Sequence, residues 1–85
     1  MRTFEYTITN PTGLHARPAG MLVKTVKEHA SRVTVSANGR ECDATRLMAL
    51  MGMGVRRGTT VAVTVEGDDE QICAADLEAF FRQNL

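Results

Sequence analysis

An α+β fold, with helices packed on one face of a single antiparallel sheet, is predicted by three features of the chain. Apolar and polar residues alternate around 2–9, 32–37 and 61–65, the period of a half-buried strand. Residues 16–28 and the segment after Asp69 instead repeat their apolar residues every three or four positions, as an amphipathic helix does. Between two strand-like runs stands Asn38-Gly39, a dipeptide that tolerates the positive φ angles of a tight hairpin. A sheet apolar on one side only buries that side under helices and leaves the other to water.

Each element has its own justification. In the first strand, residues 2–9, Phe4, Tyr6 and Ile8 share one face and Glu5, Thr7 and Thr9 the other. Asn10-Pro11-Thr12-Gly13 then turns the chain. Ala19, Leu22, Val23, Val26 and Ala30 mark the buried side of a first helix, residues 16–28, with Lys24, Lys27 and Glu28 on its other side. Residues 32–37 and 40–43 form the hairpin around Asn38-Gly39. Leu47, Leu50 and Met51 make a two-turn second helix that stops at Gly52 and Gly54. Val61, Val63 and Val65 give the last strand, and Cys73, Leu77, Phe80 and Phe81 the buried face of the last helix, for which Asp68 and Asp69 are candidate caps. The order is β-α-β-β-α-β-α, a single domain over residues 1–85.

Composition excludes several classes of function. Lys and Arg equal Asp and Glu at ten each, only four residues are aromatic, and no basic helix carries stacking side chains, which argues against nucleic-acid binding. No apolar run is long enough for a bilayer and no signal-like segment appears, so a cytoplasmic chain without membrane insertion is expected. Cys42 and Cys73 lack the number and spacing of a disulfide scaffold, redox pair or zinc site, and are expected to be reduced, partly buried thiols. Charge is nevertheless uneven: residues 1–57 hold nine of the ten bases against four acids, and residues 58–85 hold one base against six acids. The first part therefore suits an acidic partner.

His15 is the candidate for chemistry. It stands directly after the turn and before helix 1, with Arg17 and Pro18 in the first helical turn. Proline fits there because the first amides of a helix have no intrahelical acceptor. Those amides attract an anion, and their positive end favours the neutral, nucleophilic form of an adjacent imidazole. The amides of Ala16 and Arg17, with the Arg17 guanidinium, are the expected ligands of a phosphoryl group on the ring. Such transfer needs a placed nucleophile and fixed positive groups, and here no metal or cofactor is required of the chain. No Asp or Glu occurs from residue 6 to 27, so no nearby acid in the sequence orients the ring or holds magnesium. Gly52-Met53-Gly54-Val55-Arg56-Arg57-Gly58 lacks the spacing of a nucleotide loop and reads as a connection.

Gly13-Leu14-His15-Ala16-Arg17-Pro18-Ala19 closely resembles the phosphorylation-site signature of the HPr family, the histidine-containing phosphocarriers of the phosphoenolpyruvate-dependent sugar phosphotransferase system. The resemblance extends through the Asn38-Gly39 hairpin, the apolar second helix and Gly54 with Gly58. It implies an open-faced sandwich with strand order 1-4-2-3 and three helices on one face. It also implies that His15 takes phosphate on Nδ1 from enzyme I and gives it to IIA domains of sugar permeases, assisted by Arg17. Such a chain is a covalent intermediate more than a turnover enzyme, and is expected to be a monomer.

One departure from the family concerns regulation. Many Gram-positive members carry a regulatory serine just before the second helix, whereas this chain has Arg46, with Thr45 beside it as a candidate N-cap. Leu47, Met48, Met51 and Met53 are candidates for an adaptable docking patch, two of them exposed, with Lys24, Lys27 and Arg46 around it. His29, at the end of helix 1, is read as a cation at the negative end of the helix dipole. Two alternatives share this architecture: a regulatory module that docks on other proteins, and a carrier for a nitrogen-related phosphotransfer branch.

Overall fold

The computed structural model describes residues 1–85 and contains β1 (Arg2–Thr7), α1 (Ala16–Lys27), β2 (Arg32–Ala37), β3 (Arg40–Asp43), α2 (Leu47–Met51), β4 (Thr60–Glu66) and α3 (Glu70–Asn84). The four strands form one antiparallel sheet in the order β1-β4-β2-β3, the expected open-faced sandwich. Register explains the two faces. Phe4 pairs with Val63 and Val63 with Val35, while Val65 pairs with Val33, so one face is continuously apolar. The neighbouring rows carry Thr3 opposite Thr64 and Thr7 opposite Thr60, the latter pair 2.9 Å apart through their hydroxyls, and this face stays wet.

Ala19, Leu22 and Val26 of α1, Leu50 of α2, and Cys73, Leu77 and Phe81 of α3 pack with the three valines of β4 in one buried cluster. Phe81 is central: its ring meets Phe4, Tyr6 and Phe80 edge-on at centroid distances of 5.8, 5.7 and 6.0 Å. Burying a side chain of that size stabilises the fold by about 1.5–3 kcal/mol, and each edge-on pair adds about 0.5–1.5 kcal/mol. The hairpin between β2 and β3 turns as its dipeptide requires, with φ of 54° at Asn38 and 74° at Gly39. No helix is long and apolar enough to cross a membrane. Cys42 is half-buried and Cys73 buried, both unpaired, and burial pushes the Cys73 thiol up to about 11.

Several boundaries differ from the sequence reading. Strand β1 stops at Thr7 and not Thr9, because the amide of Thr9 leaves the ladder for the carbonyl of Leu85 at 2.6 Å. Helix α1 ends at Lys27 with Glu28 as C-cap, so Ala30 lies beyond the helix and is exposed. Helix α2 has five residues, shorter than two full turns. Asp69 does occupy the N-cap of α3, yet its carboxylate caps no amide of that helix. It accepts instead from the Ala30 amide at 3.0 Å and from the Ser31 hydroxyl, closing β2 against α3.

Candidate functional site

The segment before α1 is a short loop built on a turn. The Asn10 side-chain oxygen accepts the Thr12 amide at 2.8 Å, and the Asn10 carbonyl accepts the Gly13 amide at 2.9 Å. Gly13 has φ +70°, and a Cβ there would lie 2.5 Å from the Val55 carbonyl oxygen and 2.8 Å from Arg56 Cα. Only glycine fits that approach without a shift of backbone. The next amide, of buried Leu14, donates to the same Val55 carbonyl at 3.1 Å. The loop is thus pressed onto the connection between α2 and β4.

His15 follows as the N-cap of α1, with extended backbone (φ −91°, ψ −176°) and no capping bond from its side chain. The first helical bond is from the Ala19 amide to the His15 carbonyl at 3.0 Å, and the amides of Ala16 and Arg17 have no acceptor within the chain. Half-buried His15 and exposed Arg17 meet in one depression of about 280 Å³, whose other lining residues are Asn10, Pro18, Met21 and Asn84. Arg17 supplies the only permanently charged side chain in that lining. The arrangement combines an uncapped helix start, a guanidinium and an imidazole, which suits an anion bonded to the ring.

The docking candidates are distributed differently. Leu47, Met48 and Met51 are exposed, with Met48 at 77% the most open, whereas Met53 is buried at 4%. Three of the four are exposed where two were expected. Met53 falls two residues after Met51, beyond the Gly52 C-cap, so helical spacing no longer governs it. Its sulfur lies 3.3 Å from Cys42 Sγ and its carbonyl accepts from Asn38 Nδ2 at 3.2 Å. Lys24 and Lys27 are exposed on α1, about 13–18 Å along the helix from His15 at 1.5 Å per residue.

Arg46 is the N-cap of α2 and lines a separate depression with Arg32, Thr34 and Asp43, away from the one that holds His15. Thr45 does not cap α2. Its hydroxyl and amide both donate to Asp43 Oδ1, at 2.7 and 2.8 Å, and these bonds hold the Asp43 carboxyl below its ordinary range. His29 does more than face a helix dipole. Its mostly buried ring lies between Asp69, the N-cap of α3, and Asp76 within that helix.

Asn10, Met21 and Asn84 were not singled out as site residues from the sequence. Met21 is exposed and one helical turn beyond Arg17 and Pro18, a spacing that could have flagged it. Asn84 carried no signal, because it arrives from the far end of the chain.

A family model described as "PTS HPr component phosphorylation site" matches residues 2–83. The phosphocarrier protein HPr of Xylella fastidiosa is 37% identical over 85 residues, covering 100% of this chain and 96% of that protein. The phosphocarrier protein HPr of Buchnera aphidicola is 36% identical over 73 residues, 86% of each chain. Among solved structures, HPr-C-His from Thermoanaerobacter tengcongensis superposes with a TM-score of 0.91 at 34% identity, covering 96% of this chain and 92% of that one.

Proposed function

The chain belongs to the HPr family of phosphocarrier proteins of the phosphotransferase system, and on that premise we propose that it carries a phosphoryl group on His15 from enzyme I to IIA domains of sugar permeases. The observation that supports this assignment most is the meeting of His15 and Arg17 at an uncapped helix start. The other imidazole, His29, has carboxylates on both nitrogens and no free lone pair to offer.

In the step proposed, Nδ1 of a neutral His15 ring attacks phosphorus while its proton stays on Nε2. The N–P bond forms as the bond to the donor group of phosphorylated enzyme I breaks, and that electron pair leaves with the donor. Negative charge on the phosphoryl oxygens is met by the free amides of Ala16 and Arg17 and by the Arg17 guanidinium. Reversal of the same geometry on a IIA domain discharges the carrier. Exposed Leu47, Met48 and Met51, with Lys24, Lys27 and Arg46, form the proposed docking face for both partners. The chain acts in the cytoplasm as a monomer on this reading.

Incubation with enzyme I, phosphoenolpyruvate and magnesium is expected to add one acid-labile phosphate per chain, read by mass. His15→Ala is expected to abolish it. Phosphorylation of that variant at the wild-type rate would contradict the assignment.

A further inference from the structure

The side chain of His15 makes no capping bond, so the ring's placement depends on the backbone that carries it. That backbone is organised by Asn10. Its Oδ1 accepts the Thr12 amide at 2.8 Å and its carbonyl accepts the Gly13 amide at 2.9 Å; the Gly13 carbonyl in turn accepts the His15 amide at 3.1 Å. In the other direction Asn10 is tied to the end of α3. Its amide donates to the Leu85 carbonyl at 2.7 Å, and its Nδ2 donates to the Asn84 carbonyl at 3.1 Å. One half-buried side chain therefore uses its acceptor on the His15 loop and its donor on the last helix, and it lines the same depression as His15 and Arg17.

We infer that Asn10 is a positioning residue for phosphoryl transfer, fixing the His15 loop against the end of α3 so that the imidazole and the free amides of α1 face the phosphoryl group in one geometry. This rests on the assignment of His15 as the phosphoryl acceptor. The residue type follows from the bonds. Asparagine carries an acceptor and a donor on two separate atoms of a short stem, whereas serine has both on a single oxygen, aspartate has acceptors only and alanine has neither. Aspartate keeps the acceptor but loses the bond to Asn84 and places a negative charge in the wall of an anion site. Alanine loses both. The backbone bonds of residue 10 survive every substitution except proline, so the loop's fold persists while its position loosens. In-line transfer is sensitive to displacements of an ångström or less.

The test uses the full chain with Asn10→Ala, Asn10→Asp and Asn10→Ser. Phosphorylation by enzyme I is expected to fall about tenfold in kcat for Asn10→Ala, with the KM for this chain unchanged within twofold, because the docking residues are untouched. Asn10→Ser, which restores an acceptor for the Thr12 amide, is expected to recover part of that kcat, and Asn10→Asp is expected to be the slowest of the three. Nitrogen-15 resonances of the His15 ring in the unphosphorylated chain are expected to shift in Asn10→Ala, while those of His29 stay in place. Wild-type kcat in Asn10→Ala would overturn the inference, as would a loss of rate accompanied by an unchanged His15 ring spectrum. Should Asn10→Ala fail to fold, Asn10→Ser and Asn10→Asp decide: equal kcat in both, at the wild-type value, overturns it. A wild-type chain that enzyme I does not phosphorylate refutes the acceptor assignment instead, and the ring spectra still report on positioning.

Discussion

The Nε2 of His29 lies 2.8 Å from Oδ2 of Asp76, and the opposite ring nitrogen lies 3.2 Å from Oδ2 of Asp69. Both partners are carboxylates, so the ring satisfies both only as an imidazolium that donates twice. The bond to Asp76, assisted by that to Asp69, raises the His29 pKa above 6.5 against the opposing effect of burial. The Asp69 carboxyl is held down at about 2, chiefly by the Ser31 hydroxyl and then by the Ala30 amide.

Stability is predicted to fall on both sides of a plateau. A raised histidine contributes stability that is complete below its unfolded value, about 6.5, and is lost as pH rises through the higher folded value. A lowered carboxyl contributes stability that is complete above about 3.9 and is lost as pH falls towards 2. The melting temperature should therefore be flat from about pH 4.5 to 6.5 as far as these groups are concerned. Above that range it should decline in the wild type and stay flatter in His29→Gln. Parallel melting curves for the two proteins between pH 6 and 9 would rule out the clasp as the source.

Gly13 and Gly54 both have φ near +70°, but only Gly13 faces backbone. A left-handed alanine costs about 1 kcal/mol at an open site, which is the expectation for Gly54→Ala. Gly13→Ala adds the clash with Val55 and Arg56 and should lose at least about 2 kcal/mol, within the range for strained backbone positions. Urea denaturation of both variants measures the difference. Equal losses would mean that the loop moves freely away from the Val55 connection.

Much of this molecule was legible in its residues. Alternation placed Phe4, Tyr6, Val33, Val35, Val61, Val63 and Val65 on one sheet face, and Asn38-Gly39 marked the hairpin, because both signals arise from bonds local to the strand. Strand order came from the family resemblance, since a period of two names a residue's face but not its neighbour. The His29 clasp was beyond such reading: its partners stand 40 and 47 residues away, on another helix. Asn10 was recognised as a turn residue, yet its tie to Asn84 spans 74 residues and has no local signature. Asp69, which does occupy the N-cap of α3, and Thr45 both fail to cap a helix with their side chains, for one reason. Each sits beside a helix start, but the better partner for its side chain was another group, Ser31 for Asp69 and Asp43 for Thr45.

Arg17 is exposed and makes no ion pair in the chain, so its removal leaves no buried group unsatisfied. Arg17→Ala is predicted to change the melting temperature little. A charge-assisted contact to a phosphoryl oxygen is worth about 1.5–3 kcal/mol, which corresponds to roughly tenfold to a hundredfold in the rate of transfer. Rapid-quench kinetics of phosphorylation and of discharge to a IIA domain measure it. Unchanged kinetics with a large fall in melting temperature would make Arg17 a structural residue.

Arg46 stands where serine-regulated members of the family carry a hydroxyl, and it has none to phosphorylate. The hydroxyl next to it in the chain is that of Thr45, which donates to Asp43 at 2.7 Å. Phosphate on Thr45 would have to break that bond and add about −1.5 to −2 charges beside a carboxyl already held ionised by its hydrogen bonds. An HPr kinase with ATP is therefore predicted to leave the chain without acid-stable phosphate, and acid-stable phosphate on Thr45 at a rate typical of the family's serine would refute this. Charge at the same position has a second consequence. A phosphoserine makes the start of α2 negative, whereas Arg46 keeps it positive beside exposed Leu47 and Met48. An exposed charge pair with an acidic partner is worth about 0–1 kcal/mol, so Arg46→Ser is predicted to weaken binding to enzyme I by at most about fivefold. The difference should shrink as salt rises, because a Debye length near 30 Å at 0.01 M contracts to about 8 Å at 0.15 M. Calorimetric titration across that salt range measures it, and identical affinities at the lowest salt would remove Arg46 from the docking face.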